Sequence, residues 1–216
     1  MIIGLDVGGT HADVVLLGTE GLVASVKVPT DAGDLFQTVL RGLEEITADV
    51  HPETIHRIVL STTLTTNAII QGQVPPVGMI VSGGPGIDPA LFRTNEHYFT
   101  VGGAIDHRGR IVEAVDPRDI KAIAKQLRRE GIRQVGVVGK FSVRNPVHEI
   151  EIARILGEDF DKIFLGHRVA GSLNFPRRIA TTYLNAAVHP VHKQFFIAVQ
   201  RSLTEKGLSV PIRILK

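Results

Sequence analysis

From Ile2 onward the chain strings together three short runs rich in β-branched residues, Ile2–Val7, 13–17 and 22–28, separated by Gly8-Gly9 and by Gly18 and Gly21. Runs of this length and composition read as strands. Connections this tight fold each strand back beside the last, because a parallel crossover needs a dozen or more residues. The chain is thus committed at its start to a three-stranded antiparallel meander. Asp34 then stands ready to cap a helix whose apolar positions Leu35, Val39, Leu43 and Ile46 recur at helical spacing, ending before His51-Pro52.

Beyond that point strands and helices alternate. Strands are expected at 57–60, 77–81, 134–141, 162–165 and 211–215, and helices at 66–71, 117–130 and 146–156. Residues 98–115 read as an extra hairpin turning at Asp106-His107-Arg108-Gly109. Residues 174–206 read as a long helical stretch that Pro190 should bend or split. The expected fold class is α/β, a mixed sheet that opens with the antiparallel meander and is flanked by helices.

Composition narrows the function classes. With 216 residues and 44% apolar side chains the chain can bury a sizeable core. Lys plus Arg total 24 against 22 for Asp plus Glu, with no basic tract, so nucleic acid is not an expected partner. No stretch approaches the roughly 20 apolar residues of a membrane span, and the first residues lack the basic flank and apolar run of a secretory signal. No membrane partner is expected, and the cytoplasm is the default compartment. The absence of cysteine excludes disulfides, thiolate metal sites and a thiol nucleophile.

Chemistry is concentrated in Asp6-Val7-Gly8-Gly9-Thr10-His11. Glycines 8 and 9 can adopt φ > 0 and bring backbone N–H groups close to an anion, and Thr10 adds a hydroxyl donor. Asp6, at the end of the first strand, is placed to hold Mg²⁺ beside a polyphosphate or to orient a nucleophile. His11 follows the turn directly, and Asp13 is a second candidate acid. The segment also reads as an ordinary glycine hairpin with a solvent-facing aspartate. It matches neither a Walker loop nor a Gly-x-Gly-x-x-Gly turn before a helix.

A second polar segment, Ser61-Thr62-Thr63-Leu64-Thr65-Thr66-Asn67, lies at the carboxyl end of a strand, where α/β sheets bind ligands. Its hydroxyls and amide suit a phosphate oxygen or small polar substrate, unless Thr65 or Thr66 merely caps the helix. Ser82-Gly83-Gly84-Pro85-Gly86 reads as a ligand-wrapping loop or a plain turn. His189 and His192 stand at metal-compatible helical spacing but without a third ligand. Arg177-Arg178 could reach an anion but reads first as a solvated surface pair.

Four of these segments, in this order, resemble the N-terminal part of the hydantoinase A, 5-oxoprolinase and acetone carboxylase family, within the actin, Hsp70 and sugar kinase superfamily. Asp6, Gly8, Gly9 and Thr10 match its Asp-x-Gly-Gly-Thr hairpin. Thr62, Thr63, Thr66, Asn67 and Ala68 match its Gly-Thr-Thr-x-x-Thr-Asn-Ala element. Asn145-Pro146-Val147-His148-Glu149 resembles its Asn-Pro-x-His-Glu helix start, and Thr181-Thr182 through Asn185-Ala186, with Pro190, its Thr-Thr-x-x-Asn-Ala-x-x-x-Pro segment.

The resemblance implies an actin-like, ribonuclease H-like ATPase domain that uses ATP and Mg²⁺ to activate a small carbonyl substrate, a cyclic amide or a ketone, as a phosphate ester. By the same resemblance Asp6 handles metal and catalysis with Asp13, Gly8, Gly9, Thr10 and His11 hold phosphate, and Thr62, Thr63, Thr66 and Asn67 face substrate. A hydantoinase B-type partner subunit and an oligomeric intact protein are implied too. Residues 1–216 correspond to the N-terminal domain plus the start of the following actin-like region, so truncation after the final strand is expected, with the 216 residues alone inactive. A nucleotide-binding regulatory or assembly subunit and a small-molecule kinase of the same superfamily are the alternatives. Two departures stand out: Thr10-His11-Ala12-Asp13 replaces the family's Thr-Phe-Thr-Asp, and Arg177 stands where a glutamate is common.

Overall fold

The computed structural model describes residues 1–215, and the Lys216 end of the expected last strand lies outside them. It divides into two compact units, residues 1–74 with 190–216 and residues 75–189.

The first unit opens with β1 (Ile2–Val7), β2 (His11–Gly18) and β3 (Gly21–Pro29), an antiparallel meander as expected. Strand β2 starts two residues earlier than its β-branched run, because the Gly8 N–H donates to the His11 carbonyl at 2.9 Å and closes the turn there. Helix α1 (Leu35–Ile46) is capped by Asp34, whose carboxylate accepts from the Gln37 N–H at 3.0 Å. It lays Val39, Leu43 and Ile46 on the sheet. Gly42 allows that approach, since a Cβ there would lie 2.7 Å from Val14 Cγ2.

Strand β4 (Arg57–Thr62) runs parallel to β1 and leads into α2 (Leu64–Ile70). This helix begins two residues before the expected 66, because the Thr62 hydroxyl accepts the Leu64 N–H at 3.1 Å and starts the first turn. Neither Thr65 nor Thr66 is its cap, a position taken by Thr63.

The second unit contains β5 (Val77–Ser82), β6 (Tyr98–Val101), the two-stranded hairpin of β7 (Ala104–Ile105) and β8 (Ile111–Glu113), α3 (Pro117–Arg129), β9 (Gln134–Gly139), α4 (Val147–Leu156), β10 (Lys162–Leu165) and the one-turn α5 (Gly166–Val169). Its four-stranded sheet is parallel throughout, in the order β10-β9-β5-β6. Strands β5 and β9 are buried along their whole length, as a sheet covered on both faces requires.

The expected hairpin over 98–115 is narrower than the sequence suggests. Residues 98–101 form an edge strand of the parallel sheet, with Tyr98 buried, and Gly103 at φ +102° turns the chain into the real hairpin. Strand β9 likewise stops at Gly139, since Phe141 enters a turn in which its carbonyl accepts the Arg144 N–H at 2.8 Å.

Helix α6 (Phe175–Glu205) runs unbroken through Pro190, so the expected split does not occur. A proline inside a helix costs about 3 kcal/mol. The buried Ala186 and Ala187 before it and Phe195 and Val199 after it, at roughly 1 to 3 kcal/mol for a large side chain, outweigh that. The chain then adds β11 (Ile212–Ile214) parallel to β4, completing a sheet in the order β11-β4-β1-β2-β3. A mixed sheet flanked by helices is what the sequence leads one to expect. Its core gathers Ile3, Leu5, Val7, Leu16, Leu43 and Ile58 on one face.

Candidate functional site

The turn between β1 and β2 is shaped by space. Neither Gly8 nor Gly9 adopts the left-handed φ expected of the pair. A Cβ on Gly9 would lie 3.2 Å from Asn67 Nδ2, and one on Gly8 would lie 3.1 Å from the His11 carbonyl and 3.7 Å from Thr63 Oγ1. The glycines are therefore favoured by close neighbours across the turn, which a Cβ would push back by a few tenths of an ångström. The Gly8 N–H is committed to His11, but the N–H groups of Gly9 and Thr10 have no acceptor among the described residues. Gly9, Thr10, Asn67, Gln71 and Gln194 contribute to one cavity of about 360 Å³. His11 Nδ1 lies 3.3 Å from the Thr10 hydroxyl.

Asp6 belongs elsewhere. Alternation along β1 buries Ile3, Leu5 and Val7 on one face and turns Asp6 to the other, opposite Asp13 on β2 and Ser61 on β4. These three line a second cavity of about 210 Å³. Asp13 is held by Lys27 Nζ at 2.6 Å, while the Asp6 carboxylate has no protein partner among the described residues. A free carboxylate beside a second one is the hard-oxygen chemistry that suits Mg²⁺. No group of three metal-ligating side chains exists among the described residues, so any cation here would complete its shell with water or phosphate oxygens.

The threonine segment divides its duties. Thr62 donates its hydroxyl to the Val7 carbonyl at 2.7 Å and accepts from Leu64, which ties β4 to β1 and leaves it little capacity for a ligand. Thr63 stands against Gly8, and Asn67 reaches the first cavity. Thr66 lies on α2, outside the cavities described. Of the sequence candidates, Gly9, Thr10 and Asn67 thus come together in one place and Asp6 and Asp13 in another.

Sequence reasoning missed a polar cluster in the second unit. Glu149, 1% exposed, accepts from the Gly139 N–H at 2.9 Å and from the His167 N–H at 3.0 Å, with His167 Nδ1 2.6 Å from its Oε2. Arg178 is fully buried and donates at 2.6 Å to the carbonyls of Gly139, Lys140 and Ser172. The expected solvated arginine pair is therefore wrong for Arg178. Burial pulls its pKa below the ordinary guanidinium value while the Glu149 charge pushes it back up. Here a signal was present for Glu149, which closes the Asn145–Glu149 motif.

His148, beside Glu149, is buried with Nδ1 unbonded, and desolvation lowers its pKa. The Ser82–Gly86 loop is closed by Lys140, whose Nζ donates to the Pro85 carbonyl at 2.7 Å. The rings of His189 and His192 sit against Phe164 and Phe196, at 5.3 and 4.6 Å between centroids. Among the described residues no helix is long and apolar enough to cross a membrane.

Comparison with known proteins adds to this geometry. Residues 2–160 match the family model described as the hydantoinase/oxoprolinase N-terminal region. The alpha subunit of a caprolactamase from Pseudomonas jessenii is 25% identical over 98% of this chain and 34% of its own length. The gamma subunit of an acetophenone carboxylase from Aromatoleum aromaticum is 25% identical over 95% of this chain and 33% of its own. A nucleotide-free structure of acetone carboxylase, titled as bearing on ATP-dependent acetone carboxylation, superposes with a TM-score of 0.84. It shares 18% identity over 99% of this chain and 36% of that one, and this likeness shows the fold. The chain spans about a third of the length of the relatives it matches.

Proposed function

The chain belongs to the hydantoinase/oxoprolinase N-terminal family, and from that membership we propose that it is the phosphate-holding part of an ATP-dependent hydrolase. In this reading the enzyme activates a cyclic amide of the hydantoin, oxoproline or lactam class by phosphorylating its carbonyl oxygen. The observation that carries the reading is the β1–β2 turn. Gly9 and Thr10, whose backbone N–H groups have no acceptor among the described residues, line one cavity with Asn67, and such a set of donor-bearing residues suits a phosphate group.

On this reading Gly9, Thr10 and Asn67 hold phosphate oxygens, with His11 beside them and Gly8 and Thr63 shaping the turn. Thr66 stands at the substrate side of the same segment, and Thr62 supports it by tying β4 to β1. Asp6, whose carboxylate is unclaimed, holds Mg²⁺ or orients the attacking group, and Asp13 supports it through its charge. The ion supplies charge neutralisation for phosphoryl transfer. The relatives named as alpha and gamma subunits support an oligomeric protein with partner subunits, and in this reading one partner is of hydantoinase B type.

The test is ADP release by the intact protein across a panel of hydantoins, lactams and ketones. A lactam or hydantoin should stimulate release and be opened, and Asp6→Asn should lower turnover by about two orders of magnitude or more with the fold intact. Carboxylation of a ketone, a stable phosphorylated product, or slow release indifferent to every compound would each replace the cyclic-amide reading.

A further inference from the structure

At about 360 Å³ the cavity beside the β1–β2 turn reaches the size of a small-molecule site, so a phosphate group does not account for all of it. The rest of its wall is built from two helices of the first unit. Leu64, Asn67 and Gln71 stand at i, i+3 and i+7 and so share one face of α2 and its C-cap. Gly72, at φ +65°, turns the chain out of that helix, and the Gln73 N–H donates back to the Ala68 carbonyl at 2.8 Å, which keeps Gln73 beside the cavity. Helix α6 adds Val191 and Gln194, at i and i+3 on one face.

Among the described residues no side chain that lines this cavity is charged. Lys193, next to Gln194 in the chain, is exposed and outside the lining, and His192 lines a different cavity. The side-chain amides of Gln71, Gln73 and Gln194 are exposed and have no protein partner among the described residues. A carboxylate entering here would give up water and meet no cation, a costly exchange. The free backbone N–H groups of Gly9 and Thr10 suit one anion, the phosphate, and leave no comparable set of donors for a second. A carboxamide offers a donor and an acceptor together, which matches the N–H and C=O of an uncharged ring amide. Leu64 and Val191 suit its methylenes.

We propose that this cavity selects its substrate by charge, taking a lactam ring that bears no carboxylate over one that does, with Gln71, Gln73 and Gln194 as specificity-determining residues. The inference rests on the cyclic-amide reading above and adds which cyclic amides qualify. 2-Pyrrolidinone and 5-oxoproline, which differ by one ring carboxylate, are the probes. In the intact protein with ATP, kcat/KM for stimulated ADP release should be about tenfold or more higher with 2-pyrrolidinone. Gln194→Arg should narrow or invert that ratio, whereas a merely structural role would lower both values alike. Equal values, or a preference for 5-oxoproline, would overturn the selection and leave the hydrolase reading standing. Should neither probe stimulate release, binding decides the cavity, and the hydrolase reading falls only if the other cyclic amides fail too. Saturation transfer from the protein to the ring protons of 2-pyrrolidinone but not of 5-oxoproline, lost in Gln194→Leu, would then uphold the selection, and equal transfer or none would overturn it.

Discussion

Among the described residues the amides of Gly9 and Thr10 at the β1–β2 turn and the nearby carboxylate of Asp6 have no protein partner, whereas at the Gly139 edge Glu149 and Arg178 each engage three protein atoms. The first arrangement leaves its donors and acceptors to a ligand. The second consumes them in holding backbone still. Two regions rich in the residue types of active sites therefore differ in what a substitution should damage. Polar groups spared by the fold should matter for binding, and polar groups absorbed by it should matter for folding.

The sharpest way to break this contrast is denaturant unfolding of paired variants. Glu149→Ala strands the donors of Gly139 and His167 in the interior and should cost about 3 to 5 kcal/mol. Asp6→Asn should stay within about 0.5 kcal/mol of the parent. Equal losses in the two would erase the distinction.

A smaller effect should follow from pH. Desolvation lowers the pKa of His148 in the folded state, so the unfolded chain binds more protons in the acid range. The stability this histidine contributes is complete above its unfolded pKa of about 6.5 and is lost as pH falls through the folded value. The melting temperature should therefore drop on acidification below about pH 6.5, and less so in His148→Gln. A difference of opposite sign would place a charge partner at His148 instead. Smallest of all should be Asp13→Asn. It removes an exposed pair with Lys27 and should change stability by no more than about 1 kcal/mol. A larger loss would move Asp13 to the structural side of the comparison.

The sequence was readable wherever the signal was local. The β-branched runs and their glycine punctuation specified the meander, and Asp34 specified the start of α1. Signals that depend on distant partners were lost. Tyr98-Phe99-Thr100-Val101 reads as one arm of a hairpin because its actual neighbour, β5, lies earlier in the chain and leaves no local mark. Arg178 reads as solvated because its acceptors are backbone carbonyls 38 and 39 residues away. At the candidate site, Gly8 and Gly9 were legible as glycines the fold favours. Their reason was not, because it lies in the side chain of Asn67 and the His11 carbonyl rather than in backbone angles. Nor could alternation alone show that Asp6 and the Gly9 turn line separate cavities.

The outer strand of the first sheet is made long after the strand it pairs with. Residues 63–211 separate β4 from β11, so a ribosome must release the entire second unit before β4 receives its neighbour on that side. Until then β4 presents a row of unpaired amides and carbonyls, the template on which nascent chains stick to one another. Newly made protein should therefore depend most on chaperones while the second unit is being synthesised, before β11 emerges to cover β4.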